Sequence, residues 1–471
     1  MNSQSVTPGT ANSIDAIKAT FTDALHAHPN DTPEAREARA LAALFPACFL
    51  PPAADESFVG RVQQLEFGIN PRRGGFFFAD GTLSTHDKVL AACAPQLHEL
   101  LTKSAVLHVR AGWTAVVLDY DTLLLQGLQG LRVRVDARRN IAHMPRAAWD
   151  GMLTALAVLQ HSAEVLSKTA AAAGHTRSAE ALAAVAVHPP HSLYEALQLL
   201  LLYAAHAGFP EQHGRMDVYL GDLYVDDVRT GRLTHTEAVA LLTEFLHLHG
   251  AGRITVGGRG RRNPQHADAF AAVIIDALTT IDDVHLDARL HEPTMTEENG
   301  IEAQAARARL RALSATNRAT LHDDDALLPH IERDFDVALN IAERYVPVGD
   351  ELYSLGHTGY YAPLCTLDAR SLISNSDTFA AQALIEAAAD YHALACDVTA
   401  VEAPCLLHSL LLDGCIARGE TLFTGGLRFL GGAIVAYGVP ASAAPLRTKL
   451  AAYARDQRER TWLHAYVCGF A

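Results

Sequence analysis

The stretch ITVGGRGRRNPQHADAFAAVIIDALTTIDDVHLDARL, residues 254–290, decides the fold. Ile254-Thr255-Val256 is a short β-branched run stopped by Gly257-Gly258, which reads as a strand ending in a tight turn. Residues 267–280 carry helical spacing, and from Val284 to Leu290 apolar and polar residues alternate strictly. A strand, a helix of this length and a second strand imply parallel pairing, and the loops at the strands' carboxyl ends are then the natural positions for a site. The rhythm continues outward: residues 334–343 read as a helix leading into the strand Tyr345-Val346-Pro347-Val348, 376–397 as a long Ala-rich helix, and 423–438 as short apolar runs broken by glycines.

Toward the N-terminus, residues 1–12 have a disordered composition, 13–27 an amphipathic helical spacing, and 68–81 the character of loop or short strand. Helical spacing returns over 85–102, 149–173 and 178–187, the last stopped by His188-Pro189-Pro190. Ser192 with Glu195, and Thr234 with Glu237, have the spacing of capping boxes, so helices are expected over 193–206 and 236–248, whereas 217–228 reads as mixed. No internal repeat or long linker interrupts the chain, which favours one integrated α/β core.

Composition narrows the function classes. The 471 residues exceed the usual limit of one hydrophobic core, roughly 250–300 residues, so the chain is either two domains or a large closed architecture. A hydrophobic content of 49% with no apolar run long enough to span a bilayer argues against a membrane protein. The N-terminus lacks a basic flank before an apolar segment, and a cytoplasmic location is expected. A net charge of −15 disfavours nucleic acid, and the short basic cluster Arg259-Gly260-Arg261-Arg262 reads as a loop. The seven cysteines show no paired framework, and none of the 24 histidines has metal-motif spacing.

Chemistry crowds into ERYVPVGDELYSLGHTGYYAPLCTLD, residues 343–368. After Gly349 come Asp350, Glu351, Tyr353, His357, Tyr360, Tyr361 and Cys365, with glycines that free the backbone, so this segment reads as a loop on a scaffold. A polar turn without a catalytic role has the same composition.

Several segments, in order, resemble the pyruvate formate-lyase-like glycyl radical enzymes. Ala111-Gly112-Trp113-Thr114 with Asp119-Tyr120-Asp121 through Gly130-Leu131 is similar to their GHxxPDYEKxLxxGLxGL element. His188-Pro189-Pro190-His191-Ser192-Leu193-Tyr194-Glu195-Ala196-Leu197-Gln198 resembles their xPPxTFxEALQ helix start, and Gly214-Arg215-Met216-Asp217-Val218-Tyr219-Leu220 their GRxDxYL. Gly231-Arg232-Leu233-Thr234 with Glu237-Ala238, Ile254 through Gly258, and Leu321-His322-Asp323-Asp324 through Pro329 match further elements. The resemblance covers residues 111–471.

The resemblance implies a ten-stranded α/β barrel of two parallel five-stranded halves surrounded by helices, with residues 13–110 a mostly helical region packed on it. It implies an enzyme of the glycyl radical lyase or acyltransferase type, cleaving a C–C or C–heteroatom bond of a small polar metabolite in anaerobic metabolism. Tyr466-Val467-Cys468-Gly469-Phe470-Ala471 is similar to the family's radical motif, which makes Gly469 the candidate radical site. Only glycine lets a Cα radical flatten between its amides without a side-chain clash. The cofactor implied is that glycyl radical, installed after translation, and the partners are a radical S-adenosylmethionine activating enzyme and a second copy of the chain in a homodimer.

Two departures shape the expectation. Where the family has its thiyl cysteine the chain reads Asp350, and it stops two residues after Gly469. Cys365 is the nearest thiol to take the relay, unless it is a packing residue, and Asp350 or Glu351 is the candidate acid–base group. Tyr353, His357, Asp323 and Asp324 are candidate substrate contacts. The alternative is a radical-deficient homologue: a small-molecule or metal-binding protein using these carboxylates and histidine, or a non-radical enzyme. A third is a chain that is truncated or works with a separate glycine-bearing subunit.

Overall fold

The computed structural model describes residues 13–28, 31–70, 75–78, 95–96, 98–99, 107–114, 117–139, 146–208, 212–291, 300–335, 337–348, 352–355, 359–367, 423–429, 432–436 and 465–468. In chain order the helices are α1 (Ile14–His26), α2 (Pro33–Leu44), α3 (Tyr120–Arg138), α4 (Arg146–Ala172), α5 (Thr176–Val185), α6 (Leu193–His206), α7 (Met216–Arg229), α8 (His235–His249), α9 (Pro264–Ala277), α10 (Gly300–Ala315), α11 (Asp324–Phe335) and α12 (Leu339–Ala342). The strands are β1 (Phe67–Asn70), β2 (Gly75–Phe78), β3 (Leu107–Thr114), β4 (Gln212–Arg215), β5 (Gly252–Gly257), β6 (Val284–Leu290), β7 (Ala319–Asp323), β8 (Tyr345–Val348), β9 (Leu352–Leu355), β10 (Gly359–Leu367), β11 (Phe423–Phe429), β12 (Gly432–Ala436) and β13 (Ala465–Cys468). Contacts divide the chain into two compact units, Met1–Leu65 with Leu118–Asp325 and Glu66–Val117 with Ala326–Ala471.

The first unit holds the parallel sheet β4-β5-β6-β7, whose pairings are all parallel as the strand–helix–strand rhythm requires. Several of its helices begin where the sequence supplies caps. Ser13 accepts from the Ala16 N–H and Thr32 from the Ala35 N–H, while Thr234 and Glu237 close a reciprocal capping box on α8. At α6, Ser192 accepts from the Glu195 N–H at 3.2 Å, and the Leu193 N–H donates at 2.8 Å to Asp227 from the end of α7. Every residue of α6 except Glu195 is buried, which places this helix inside the helical layer. One polar contact there is specific: Gln198 accepts from the Val59 N–H and donates to the Val59 carbonyl, pairing with the backbone as a strand would.

Among the described residues, His206 and His213 are buried in this unit against apolar and neutral neighbours. His206 accepts or donates through Nε2 with Ser162 Oγ at 2.9 Å, contacts the Leu202 carbonyl through Nδ1 at 2.7 Å, and stacks on Phe45 with ring centroids 3.9 Å apart. His213 packs beside His249 and Phe245. Desolvation lowers the pKa of each to about 4. Within α3, Gly127 takes φ +63°, and a Cβ there would lie 2.9 Å from the Pro189 nitrogen. The helix thus lies directly against the proline-bearing turn that ends before α6.

The second unit has a five-stranded sheet in the order β12-β11-β13-β10-β3 and two hairpins, β1-β2 and β8-β9. Only β10 and β11 pair parallel in that sheet, and its other pairings are antiparallel, so the described strands give one parallel sheet and one mixed sheet where two parallel halves were expected. The reading of 343–368 as strand and then loop is also corrected. Residues 352–355 and 359–367 are strands β9 and β10, because the aromatic and β-branched Tyr360, Tyr361 and Thr366 find pairing partners in Trp113, Thr114, His108 and Tyr466. Residues 217–228, read as mixed, lie within the helix α7. The helices expected over 376–397 and most of 85–102, and the disorder expected over 1–12, fall outside the described residues.

Candidate functional site

Alternation divides the parallel sheet of the first unit into two chemically different faces. Ile254 and Val256 of β5 and Leu286 and Ala288 of β6 are buried apolar residues of one face. Between them, on the other face, stand Arg253, Thr255, His285, Asp287 and Arg289, joined by Thr320 and His322 of β7. Parallel strands buried on both sides ordinarily carry near-continuous apolar runs. A polar face on such a sheet therefore marks a surface with another use.

Asp287, fully buried, sits at the centre of that face. Arg253 grips it with two bonds, Nη2 to Oδ1 at 2.7 Å and Nε to Oδ2 at 3.0 Å, and His322 Nε2 lies 3.1 Å from Oδ1. A carboxylate only accepts, so Nε2 carries the hydrogen in this bond. One position toward the strand starts, His285 Nε2 meets Thr320 Oγ1 at 2.8 Å.

A second set of charges secures the carboxyl ends of the strands. Arg289 and Asp324 are both fully buried and joined through Nε to Oδ1 at 3.0 Å and Nη2 to Oδ2 at 2.8 Å, and Asp324 also accepts the Arg259 N–H at 2.8 Å. Arg215 donates from Nη2 to the carbonyls of Gly257 and Arg259, at 3.0 and 2.8 Å. Burial, reinforced by Arg289, pulls its pKa down to about 9. Asp217 accepts the Gly257 N–H at 2.8 Å, and burial raises its pKa against the pull of Arg215. These groups all hold the turn Gly257-Gly258-Arg259. Gly257 has φ +76°, and a Cβ there would stand 2.4 Å from the Arg289 carbonyl, so the turn lies against β6 as only glycine permits.

The basic cluster of residues 259–262 is committed to carboxylates. Arg259 pairs with Asp325, Arg261 with Asp268, and Arg262 with Asp121 and Asp222. It is a loop that fastens neighbouring helices.

Of the residues singled out in the sequence, Asp324 is engaged by Arg289 and Arg259 as above, and Asp323 is exposed with its carboxylate accepting the Asp325 N–H at 3.0 Å. In the second unit, Tyr353 lies on β9 opposite Pro347, and Cys365 lies on β10 opposite Val109 of β3 and Val467 of β13. Asp350, Glu351, His357 and Gly469 lie outside the described residues. Among the described residues, no group of three or more His, Cys, Asp or Glu side chains is placed to hold a metal ion, and no helix is long and apolar enough to cross a membrane. Arg253, Asp287 and His322 were not singled out as site residues. For Asp287 the signal was the alternation over 284–290, which marks a strand with a polar half, whereas Arg253 and His322 lie outside that run and join it only through the registers of β5 and β7.

The fold and site make this an α/β chain with a parallel sheet, covering helices and a polar sheet face. Residues 82–248 match the family model described as pyruvate formate lyase-like. Among solved structures, a protein of 1,2-propanediol dehydration in Roseburia inulinivorans is similar with a TM-score of 0.67 and 16% identity, over 88% of this chain and 67% of that one. A glycyl radical enzyme from Archaeoglobus fulgidus is similar with a TM-score of 0.67 and 14% identity, over 88% and 66%. The B12-independent glycerol dehydratase from Clostridium butyricum follows with a TM-score of 0.65 and 15% identity, over 89% and 68%. No curated protein matches by sequence. The resemblance to the pyruvate formate-lyase-like glycyl radical enzyme superfamily is thereby borne out, and the chain spans about two thirds of the length of these structures.

Proposed function

We propose that the chain acts as a glycyl radical enzyme-type lyase on a small polar metabolite, breaking a C–heteroatom or C–C bond, on the ten-stranded barrel architecture that the resemblance implies. The observation that carries the reading is the pairing of β10 with β13. Cys365 stands opposite Val467, and Leu364 opposite Cys468, so the strand bearing the candidate relay thiol runs beside the strand that leads into Gly469. That register sets the strands of the two motifs side by side, which supports a hydrogen-atom relay between them.

In this reading Gly469 holds the radical, which when installed supplies hydrogen-atom abstraction. Cys365 stands between it and substrate, and Asp350 or Glu351 moves the proton that accompanies bond cleavage. Tyr353, His357, Asp323 and Asp324 contribute contacts to the substrate. The partner is a radical S-adenosylmethionine activating enzyme, and the chain works as a homodimer in the cytoplasm. One observation favours a second reading, a radical-deficient binding protein: Asp350 occupies the position of the family's thiyl cysteine.

Anaerobic incubation with an activating enzyme and S-adenosylmethionine, followed by electron paramagnetic resonance, separates the two. A doublet that disappears in Gly469→Ala and persists in Cys365→Ala supports the first. Absence of any doublet, with the same activating enzyme competent on its own partner, rejects it.

A further inference from the structure

Residues 50–61 form a loop that is closed at its own neck. The Leu50 N–H donates to the Arg61 carbonyl at 2.8 Å, the Gln63 N–H to the Cys48 carbonyl at 2.9 Å, and Phe49 is bridged antiparallel to Val62. Inside the loop, Glu56 accepts the Ala53 N–H at 2.8 Å and pairs with Arg61. All these contacts lie within residues 48–63, so the loop has a shape of its own.

Residues 57–60, which meet the rest of the unit, are held in a different way. Glu244 of α8 accepts the Ser57 N–H, while Ser178 of α5 and Tyr194 of α6 donate to the Ser57 carbonyl. Gln198 of α6 takes both main-chain groups of Val59, at 3.1 and 2.6 Å. Tyr194, Gln198 and Leu201 follow one another along one face of α6, and a Cβ on Gly60 would meet Leu201 at 3.9 Å. Phe58 and Val59 are fully buried, and Phe58 stacks on Tyr194 with ring centroids 5.1 Å apart. Side chains from three helices thus meet the main-chain groups of alternate residues around an aromatic anchor. A groove reads a separate peptide in the same manner, with main-chain bonds supplying affinity and a pocket selecting the side chain.

We propose that this face of α5, α6 and α8 is a docking groove for a partner's peptide segment in which an aromatic residue is followed by a β-branched one, and that residues 57–60 are its tethered occupant. Because the neck closes without the groove, the loop can withdraw while α6 stays folded. The groove is independent of the radical chemistry.

The first test is hydrogen exchange of the native full chain below its urea midpoint, read by mass spectrometry with fragmentation. The hydrogen-bonded amides of Ser57 and Val59 are expected to exchange at least about tenfold faster than those at the centre of α6, through an opening that leaves the helix protected. The second test uses the full-chain variant Phe58→Ala, which weakens the tethered occupant, and a fluorescein-labelled peptide with the sequence of residues 53–62. Fluorescence anisotropy is expected to saturate with the variant, and to report binding at least about tenfold weaker with the native chain, whose groove is filled. The same peptide with alanine in place of its phenylalanine should bind Phe58→Ala at least about tenfold more weakly, and so should the original peptide with the double variant Phe58→Ala, Gln198→Leu. Exchange of the Ser57 and Val59 amides no faster than the centre of α6 would overturn the proposal, and that measurement alone decides if Phe58→Ala does not fold. With Phe58→Ala folded by circular dichroism, absence of saturation, or binding that survives either change, would overturn it as well.

Discussion

Acid should unfold the first unit partly through His206, and the size of that effect follows from its surroundings. The imidazole is fully buried against Phe45, and its neighbours are a serine hydroxyl and a backbone carbonyl, with no carboxylate to favour the charged ring. Burial therefore lowers its pKa from 6.5 to about 4, offset in part by the Leu202 carbonyl. Above pH 6.5 the ring is neutral in both folded and unfolded chains. As pH falls below that value the unfolded chain takes up a proton that the folded chain refuses until about pH 4, so stability is lost across this window. A displacement of that size amounts to roughly 3 kcal/mol. His206→Gln removes the titration, while His213 and the carboxylates remain and cancel in the comparison. Urea unfolding of both proteins at intervals from pH 7.5 to pH 4, followed by circular dichroism, should show the native protein's advantage shrinking by roughly 3 kcal/mol as pH falls. Two curves that stay parallel over the range would refute the argument, because the buried ring would then not be the group refusing the proton.

Asp324→Asn strips the buried Arg289 of its counter-charge and should cost roughly 3–5 kcal/mol in urea unfolding, with the double variant Arg289→Met, Asp324→Leu recovering more than half; a loss below about 1 kcal/mol in the single variant would show that the pair is solvated. Gly257→Ala and Gly231→Ala compare two left-handed residues, φ +76° and +71°, of which only the first would push its Cβ into backbone, 2.4 Å from the Arg289 carbonyl. The second should cost about 1–2 kcal/mol and the first clearly more, and equal losses would mean that the turn moves freely against β6.

Where local signals are complete, the chain announces its structure. The bounds of α6 and β6 coincide with expectation because Ser192, Pro189, Pro190 and the strict alternation after Val284 are all short-range cues. Helix α7 was less visible. Its buried face includes Asp217 and Asp227 beside Met216, Tyr219, Leu220 and Tyr224, and these carboxylates interrupt the apolar stripe. They are tolerated inside only because the Gly257 and Leu193 N–H groups and Arg232 meet them from other elements. Strand β10 was hidden for a related reason, since its pairing partners lie in residues 107–114 and 465–468, far along the chain. The polar sheet face had a visible pattern and an invisible meaning. The sequence placed Thr255 and Asp287 in strands, but only the registers bring them together with Arg253 and His322.

The bond from Asp227 to the Leu193 N–H has a consequence for the order in which the chain acquires structure. Helix α6 carries its own serine cap, yet one of its first-turn donors is completed by a carboxylate 34 residues further along. That carboxylate is itself held by Arg232, in the turn after α7. A growing or refolding chain therefore cannot finish the start of α6 before 216–232 has formed. The two helices should consolidate as one cooperative step, with protection of the Leu193 amide appearing only when α7 docks.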